Sequence, residues 1–277
     1  MKASIATATF YYLPFEDTLD IIKAAGFERI ELDFHWQGGD NWNMAQHLMH
    51  LSMKDTLSLI ADAGLEIASI HDGGGVVSND NDSVIAPQLR EFMHHSQTPP
   101  EYMVFHVPHM KTNNGPDWWK TFGPRYISDL NDYSEYCAVT IENLPEFDGY
   151  YTPLASPADL FKFVGDNGFY ANIDTSHYAQ TKVDICQAAE TLGPLVNGVH
   201  LSDFLDGKAH VAIGEGSLDL KGFLKVIKNI ERDNLDSGGQ SIAITLECTI
   251  DDSHEMPRDD VVRRLTGVRE YLRRIMA

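Results

Sequence analysis

The sequence predicts an α/β fold, a single (β/α)8 TIM barrel occupying residues 1–277. Three observations predict it: eight short β-branched or apolar runs, helix-like sequence between them, and no Pro/Gly/Ser linker anywhere in the 277 residues. Alternating β and α units imply a parallel sheet. Eight of them in an unbroken chain favour closure into a barrel over a doubly wound sheet, and a barrel needs roughly 250 residues.

The runs, in order, are Ser4–Phe10, Arg29–Phe34, Glu66–His71, Tyr102–Val107, Val139–Leu144, Tyr170–Asp174, Asn197–Leu201 and Ile242–Glu247. Between them apolar residues recur at helical spacing, as in Leu19, Ile22 and Ala25 or Leu57, Ile60 and Ala63. Ser156 before Pro157 and Asp159 reads as a helix cap followed by a first-turn proline. Gly26, Gly64 and Gly168 stand where a helix ends in a left-handed residue. Each belongs to a weak repeat (Ala25-Gly26-Phe27, Ala63-Gly64-Leu65, Asn167-Gly168-Phe169) that joins a helix to the next strand. The longer connections, His35–Leu51, Asp72–Asp82 and His109–Pro124, all follow strands, and barrel active sites are built from those loops.

Composition narrows the function. Hydrophobic residues make up 43% and charged residues 22%, an ordinary globular balance. With 41 acidic against 21 basic side chains the formal charge is −20. Sequence-independent nucleic-acid binding needs clustered Lys and Arg to displace counterions, so a nucleic-acid partner is not expected. No segment approaches the ~20 apolar residues of a membrane span. The Ala3–Phe15 stretch is broken by threonines and followed at once by Glu16 and Asp17, which reads as a first strand and not a signal peptide. Cys137, Cys186 and Cys248 are odd in number and widely spaced, which fits a reduced cytoplasm. A homo-oligomer is left open.

The strand ends carry the chemistry. From the third run onward they present His71, His106, Glu142, Asp174, His200 and Glu247. One such residue alone is ordinarily a satisfied polar group or a loop anchor. Six converging on one barrel mouth would leave close carboxylates of like charge, which is costly without a compensating cation. A divalent metal ion is therefore expected. Ligands of the His/Asp/Glu type without Cys suit zinc, manganese, cobalt or iron and disfavour a structural zinc knot.

Several short segments together resemble the xylose-isomerase-like barrel superfamily, which holds sugar-phosphate isomerases, epimerases and endonuclease IV. They are Thr140-Ile141-Glu142-Asn143, Asp174-Thr175-Ser176-His177, His200-Leu201-Ser202-Asp203, His210 with Ile213-Gly214-Glu215-Gly216, and Leu246-Glu247. The resemblance runs from the first strand to the last. It implies that Glu142, Asp174, His200 and Glu247 hold a shared metal, and that His177 contacts substrate as in the epimerases. Further ligands of endonuclease IV match His71, His106, His177 and His210. Lys208 stands where that enzyme has an Asp, and the epimerases' substrate-binding Arg after the seventh strand is not evident, Asp206 lying in that region.

These assignments suggest an enzyme, a metal-dependent isomerase or epimerase acting on a small sugar, sugar phosphate or polyol derivative. Glu142 and Glu247, set well apart around the ring, could exchange protons on opposite faces of the substrate. His35, Trp36, His177, Lys208 and His210 are candidate substrate contacts. A metal-dependent phosphoesterase like endonuclease IV is the alternative, with a second metal at His71 and His106 bridged by Glu142. A non-catalytic barrel that binds metal or sugar is a third. Trp118 and Trp119 fit a sugar-facing wall, a barrel cap or a subunit interface. Ile213–Gly216 reads as a plain tight turn more readily than as a phosphate cradle, and Arg263, Arg264, Arg273 and Arg274 read as a solvated face.

Overall fold

A computed structural model describes residues 2–34, 51–73, 76–77, 85–86, 88–110, 115–146, 149–252 and 254–277. Its barrel strands are β1 (Lys2–Ala6), β2 (Arg29–Asp33), β3 (Glu66–Asp72), β4 (Tyr102–His106), β5 (Ala138–Glu142), β6 (Tyr170–Asp174), β7 (Val196–Leu201) and β8 (Ala243–Leu246). Helices among the described residues are α1 (Phe15–Ala24), α2 (Met53–Asp62), α3 (Gln88–His95), α4 (Gly115–Ser134), α5 (Pro157–Asn167), α6 (Thr175–Gln180), α7 (Ile185–Leu192), α8 (Leu220–Asp236) and α9 (Arg258–Met276). Each strand pairs in parallel with its sequence neighbour, and β1 pairs with β8 to close the ring. The expected (β/α)8 barrel is therefore the observed fold.

Local chemistry sets the helix ends. Ser156 Oγ accepts from Asp159 N at 3.1 Å, Pro157 opens α5, and Gly168 closes it at φ 72°, a left-handed value that glycine reaches without steric cost. Two elements depart from the sequence reading. The first strand stops at Ala6, and Thr7–Phe10 curls into a 3-10 turn. The reason lies on β2, where Asp33 Oδ2 accepts from Ala8 N at 3.0 Å and Thr7 Oγ1 at 3.2 Å. The connection after β4 is shorter than expected, because α4 begins at Gly115 and runs through Pro124. Trp118, Phe122 and Tyr126 stack along that helix, and Trp119 reaches Phe163 of α5. Trp118 thus joins the main core, and Trp119 packs between α4 and α5.

The main apolar core lies between strands and helices, around Ile5, Ile30, Leu32, Ile70, Phe105, Ile141, Ile173 and Ile244. Inside the ring the apolar content is small, with Tyr102, Val104 and Ala243 packed together. Above them lies a polar layer: Ser4 Oγ meets Thr245 Oγ1 at 2.9 Å, Tyr102 Oη meets Thr245 Oγ1 at 3.4 Å, and Ser69 Oγ donates to Glu31 Oε2 at 2.6 Å. A barrel interior is ordinarily filled by branched apolar side chains, so this floor prepares the barrel for a charged mouth. Gly198 faces it, and a Cβ there would sit 2.5 Å from Asn172 Oδ1 and 3.1 Å from the Tyr102 ring. Gly198→Ala should destabilise the protein by about 1–3 kcal/mol through overpacking, read as a lower denaturant midpoint at unchanged slope.

Candidate metal centre

Register brings the strand-end residues together before any side chain is considered. Residues opposite one another in a parallel pair point to the same face, and the pairs here are Asp33 with His71, His106 with Glu142, and Asp174 with His200. All project into the mouth, where Glu247 joins them just beyond β8.

Glu142, Asp174, His200 and Glu247 each place one ligand-type atom so that all four lie within 4.8 Å of one another. His200 Nδ1 is 3.0 Å from Glu142 Oε2 and 2.8 Å from Glu247 Oε2. None of these approaches has hydrogen-bond geometry. Both nitrogens of His200, both oxygens of Glu142, Asp174 Oδ2 and Glu247 Oε2 are buried with no hydrogen-bond partner. So many buried, unsatisfied polar atoms would be costly if nothing else met them. Their convergence fits a cation. Asp174 divides its work: Oδ1 caps α6 by accepting from His177 N at 2.7 Å and Ser176 Oγ at 2.9 Å, which leaves Oδ2 for the centre.

Two further groups flank this one. His71, His106 and Glu142 meet on one side, and Asp174, His177 and His210 on the other. On the second flank His177 Nδ1 faces the Asn143 carbonyl at 3.0 Å and His210 Nδ1 faces the Glu247 carbonyl at 3.1 Å. A carbonyl only accepts, so both Nδ1 atoms carry hydrogen. The two Nε2 atoms then face each other at 3.2 Å, and two lone pairs at that distance need a proton or a metal between them. Two imidazoles on one zinc ion sit about 3.3 Å apart, given Zn–N bonds of about 2.0–2.1 Å and tetrahedral angles. His210 reaches this position with φ 54°, a left-handed value uncommon outside glycine and of the kind found at functional sites.

Electrostatics follow from the packing. Burial would raise Glu142, but the imidazoles of His200 and His106 outweigh it and hold the carboxyl well below the usual carboxylate range. Glu247 is lowered likewise, with His200 again opposing burial. The imidazoles answer in the other direction. Burial alone would depress His177, yet Asp174 and Glu142 lift it to about 9. His200 is raised well above its ordinary value by Glu31, Glu142 and Glu247 against the same desolvation. Carboxylates kept anionic beside imidazoles hold a positive charge in common, and a metal would replace those protons.

Among the described residues, those expected from the sequence are gathered, except Lys208. Lys208 lies on the hairpin after β7, where its ammonium pairs with Asp252 at an exposed position. His35 and Trp36 lie outside the described residues. The turn at Ile213–Gly216 does cradle an anion, its own: Gly214 N and Gly216 N both donate to Asp203 Oδ2 at 3.1 Å. Of the terminal arginines, Arg264 is tied to Glu215 at 2.6 Å and Arg274 lies over the Tyr271 ring. Two buried acids escaped the sequence reading. Glu31 and Asp33 alternate with Ile30 and Leu32 on β2, and that alternation was the available signal. Glu31 Oε1 lies 2.8 Å from His200 Nε2, and Asp33 Oδ1 accepts from His71 Nδ1 at 3.1 Å.

No protein-family description and no curated protein matches the chain. Solved structures do match in shape. An L-ribulose 3-epimerase superposes with a TM-score of 0.71 at 15% identity, over 100% of this chain and 95% of that one. D-psicose 3-epimerase from Clostridium cellulolyticum H10 gives 0.70 at 13% identity, over 100% and 99%. An AP endonuclease of family 2 from Brucella melitensis gives 0.68 at 12% identity, over 98% of each chain. The chain therefore shares the (β/α)8 barrel fold of these proteins.

Proposed function

We propose that this protein is a metal-dependent isomerase or epimerase of a small sugar or polyol derivative. The observation that carries the reading is the pair of carboxylates Glu142, buried, and Glu247, at the edge of the mouth, which both approach His200 Nδ1, with Asp174 completing the group. A divalent cation of the zinc, manganese, cobalt or iron type, held by these four residues, would polarise a substrate carbonyl and stabilise the enediolate charge.

The residues around it supply the rest. Epimerisation removes a proton beside the carbonyl from one face and returns one to the other. The Glu142 side chain is fully covered, whereas that of Glu247 is 12% exposed, so Glu247 is the carboxylate with access to a ligand entering the mouth. His177 and His210 stand beside Asp174 as contacts for a substrate hydroxyl. The epimerase folds named above support a sugar substrate.

Hydrolysis of a phosphoester is the second reading, favoured by the two flanking groups at His71, His106 and Glu142 and at Asp174, His177 and His210. The charge of −20 opposes it for a nucleic-acid substrate. One experiment separates the two. Metal-loaded protein in deuterium oxide is offered a panel of ketoses and, separately, abasic-site DNA. Deuterium entering the carbon beside a ketose carbonyl, with no DNA incision, is the expected result. Incision without exchange would replace the isomerase reading by the phosphoesterase one.

A further inference from the structure

The N-terminal face of the barrel, opposite the mouth, carries two adjoining cavities. The larger, about 580 Å3, lies between the starts of β6 and β7, the C-terminal end of α8 and the loop leading into β8. The smaller, about 390 Å3, opens beside the starts of β1 and β8. Asn197 and Gln240 line both. Catalytic residues of such barrels stand at the other face, and this one ordinarily serves stability.

Asn197 sets this face apart. It is 6% exposed, yet its side-chain amide has no hydrogen-bond partner among the described residues. A buried amide left unmet is costly, and the cavities are where this one can be met. The backbone explains how it arrives there. Ala171 pairs with Val196, but the next residue of β6, Asn172, pairs with Gly198. Asn197 is thus the extra residue of a β-bulge, a device that re-aims a side chain at barrel rims and beside binding sites. Gly193, at φ 50° and ψ −126°, turns the chain ahead of β7 in a conformation that suits glycine and leaves that wall without a side chain.

The lining names the ligand class. Tyr170 offers a half-buried ring and a hydroxyl, Asn234 and Gln240 two further amides, and Ser237 a hydroxyl. Asp233 carries the only charge on the described lining of the larger cavity, and Arg232 pairs with it at 3.2 Å. On the smaller one Lys2 and Glu101 neutralise each other at 2.8 Å. An anion would meet no uncommitted cation on this lining, in a chain of charge −20. Amides, hydroxyls and a ring face without net charge suit a ligand that has many hydroxyls and no charge. The larger volume falls within the range of roughly 300–1,000 Å3 typical of small-molecule sites.

We propose that this cleft is a second ligand site, taking an uncharged monosaccharide or sugar alcohol, with Asn197 as its buried recognition group. It is separate from the mouth and does not depend on the metal reading of Glu142, Asp174, His200 and Glu247.

The test titrates the full chain, stripped of metal, by calorimetry with D-glucose, D-fructose and D-sorbitol in turn, and with D-glucose 6-phosphate as the charged counterpart. At least one neutral compound should bind saturably with a Kd of roughly 1 mM or below, and the phosphate ester should bind more weakly. Asn197→Leu keeps the volume but removes donor and acceptor, and should weaken binding by roughly 10-fold or more. Ser237→Trp, at the exposed end of α8, should block the larger cavity without entering the core, and carries the test should Asn197→Leu fail to fold. Glu247→Gln, in the mouth, should bind as wild type does. No saturable binding of any neutral compound would overturn the proposal, as would an ester that binds more tightly than they do. Binding that survives both cavity variants, or that is lost in Glu247→Gln, would place the ligand elsewhere and overturn it too.

Discussion

Glu247→Gln should lower turnover on the substrate ketose by roughly 10²- to 10⁴-fold, the usual contribution of a positioned general base. The amide keeps an oxygen toward the centre but cannot take or return a proton. Its neighbours should stay in place, because the carbonyl of residue 247 still receives His210 Nδ1 and its amide still donates to the Leu201 carbonyl, at 3.1 and 3.3 Å in the wild type. Metal content should therefore fall much less than activity. Deuterium exchange into substrate distinguishes loss of proton transfer from loss of binding. Wild type should exchange, and Glu247→Gln should bind the ketose without exchanging it. Full exchange in both Glu247→Gln and Glu142→Gln would assign the proton to another group, with His177 next in line.

The second large effect belongs to Asp174. In Asp174→Asn the side-chain oxygen that caps α6 survives, so Ser176 and His177 keep their acceptor. What is lost is the negative charge behind Oδ2, the oxygen left for the centre. Zinc or manganese affinity should drop by more than about 100-fold, beyond the 10- to 100-fold range of an outer-shell change. The far-ultraviolet spectrum should not change. Without metal, Asp174→Asn should be somewhat less stable than wild type near pH 7, since it loses the anion that most raises His177 and with it the stability of that ion pair. Full metal occupancy in Asp174→Asn would remove Asp174 from the ligand set.

Much of this was legible in the residue order. Parallel strands of four to seven residues announce themselves as short apolar runs, and the polar residues that interrupt them at one end must converge once the ring closes. That logic joined His71, His106, Glu142, Asp174, His200 and Glu247 across more than a hundred residues of chain, and the resemblance singled out the last four as a metal set. It failed where tertiary contacts overrode a local rule. Pro124 reads as a helix breaker, yet α4 runs through it because the ring stack of Trp118, Phe122 and Tyr126 holds the helix on both sides of the proline. Lys208 and His210 are two apart on one strand and should share a face, but the left-handed backbone at His210 breaks the alternation, and the two side chains part. Glu31 and Asp33 alternate with Ile30 and Leu32 as in any strand with one polar face, and only the polar barrel interior turns that face inward.

On the proposed reading, four residues on β5, β6, β7 and just beyond β8 hold one divalent cation. The most direct measurement is the anomalous difference density of a crystal of the metal-loaded protein, recorded at the absorption edge of that metal. The strongest peak is expected among Glu142, Asp174, His200 and Glu247 at coordination distances of about 2.0–2.2 Å for a zinc ion, and any further peak beside His71 or His177. A loaded crystal with no peak among those four residues, or with its strongest peak elsewhere, would contradict it.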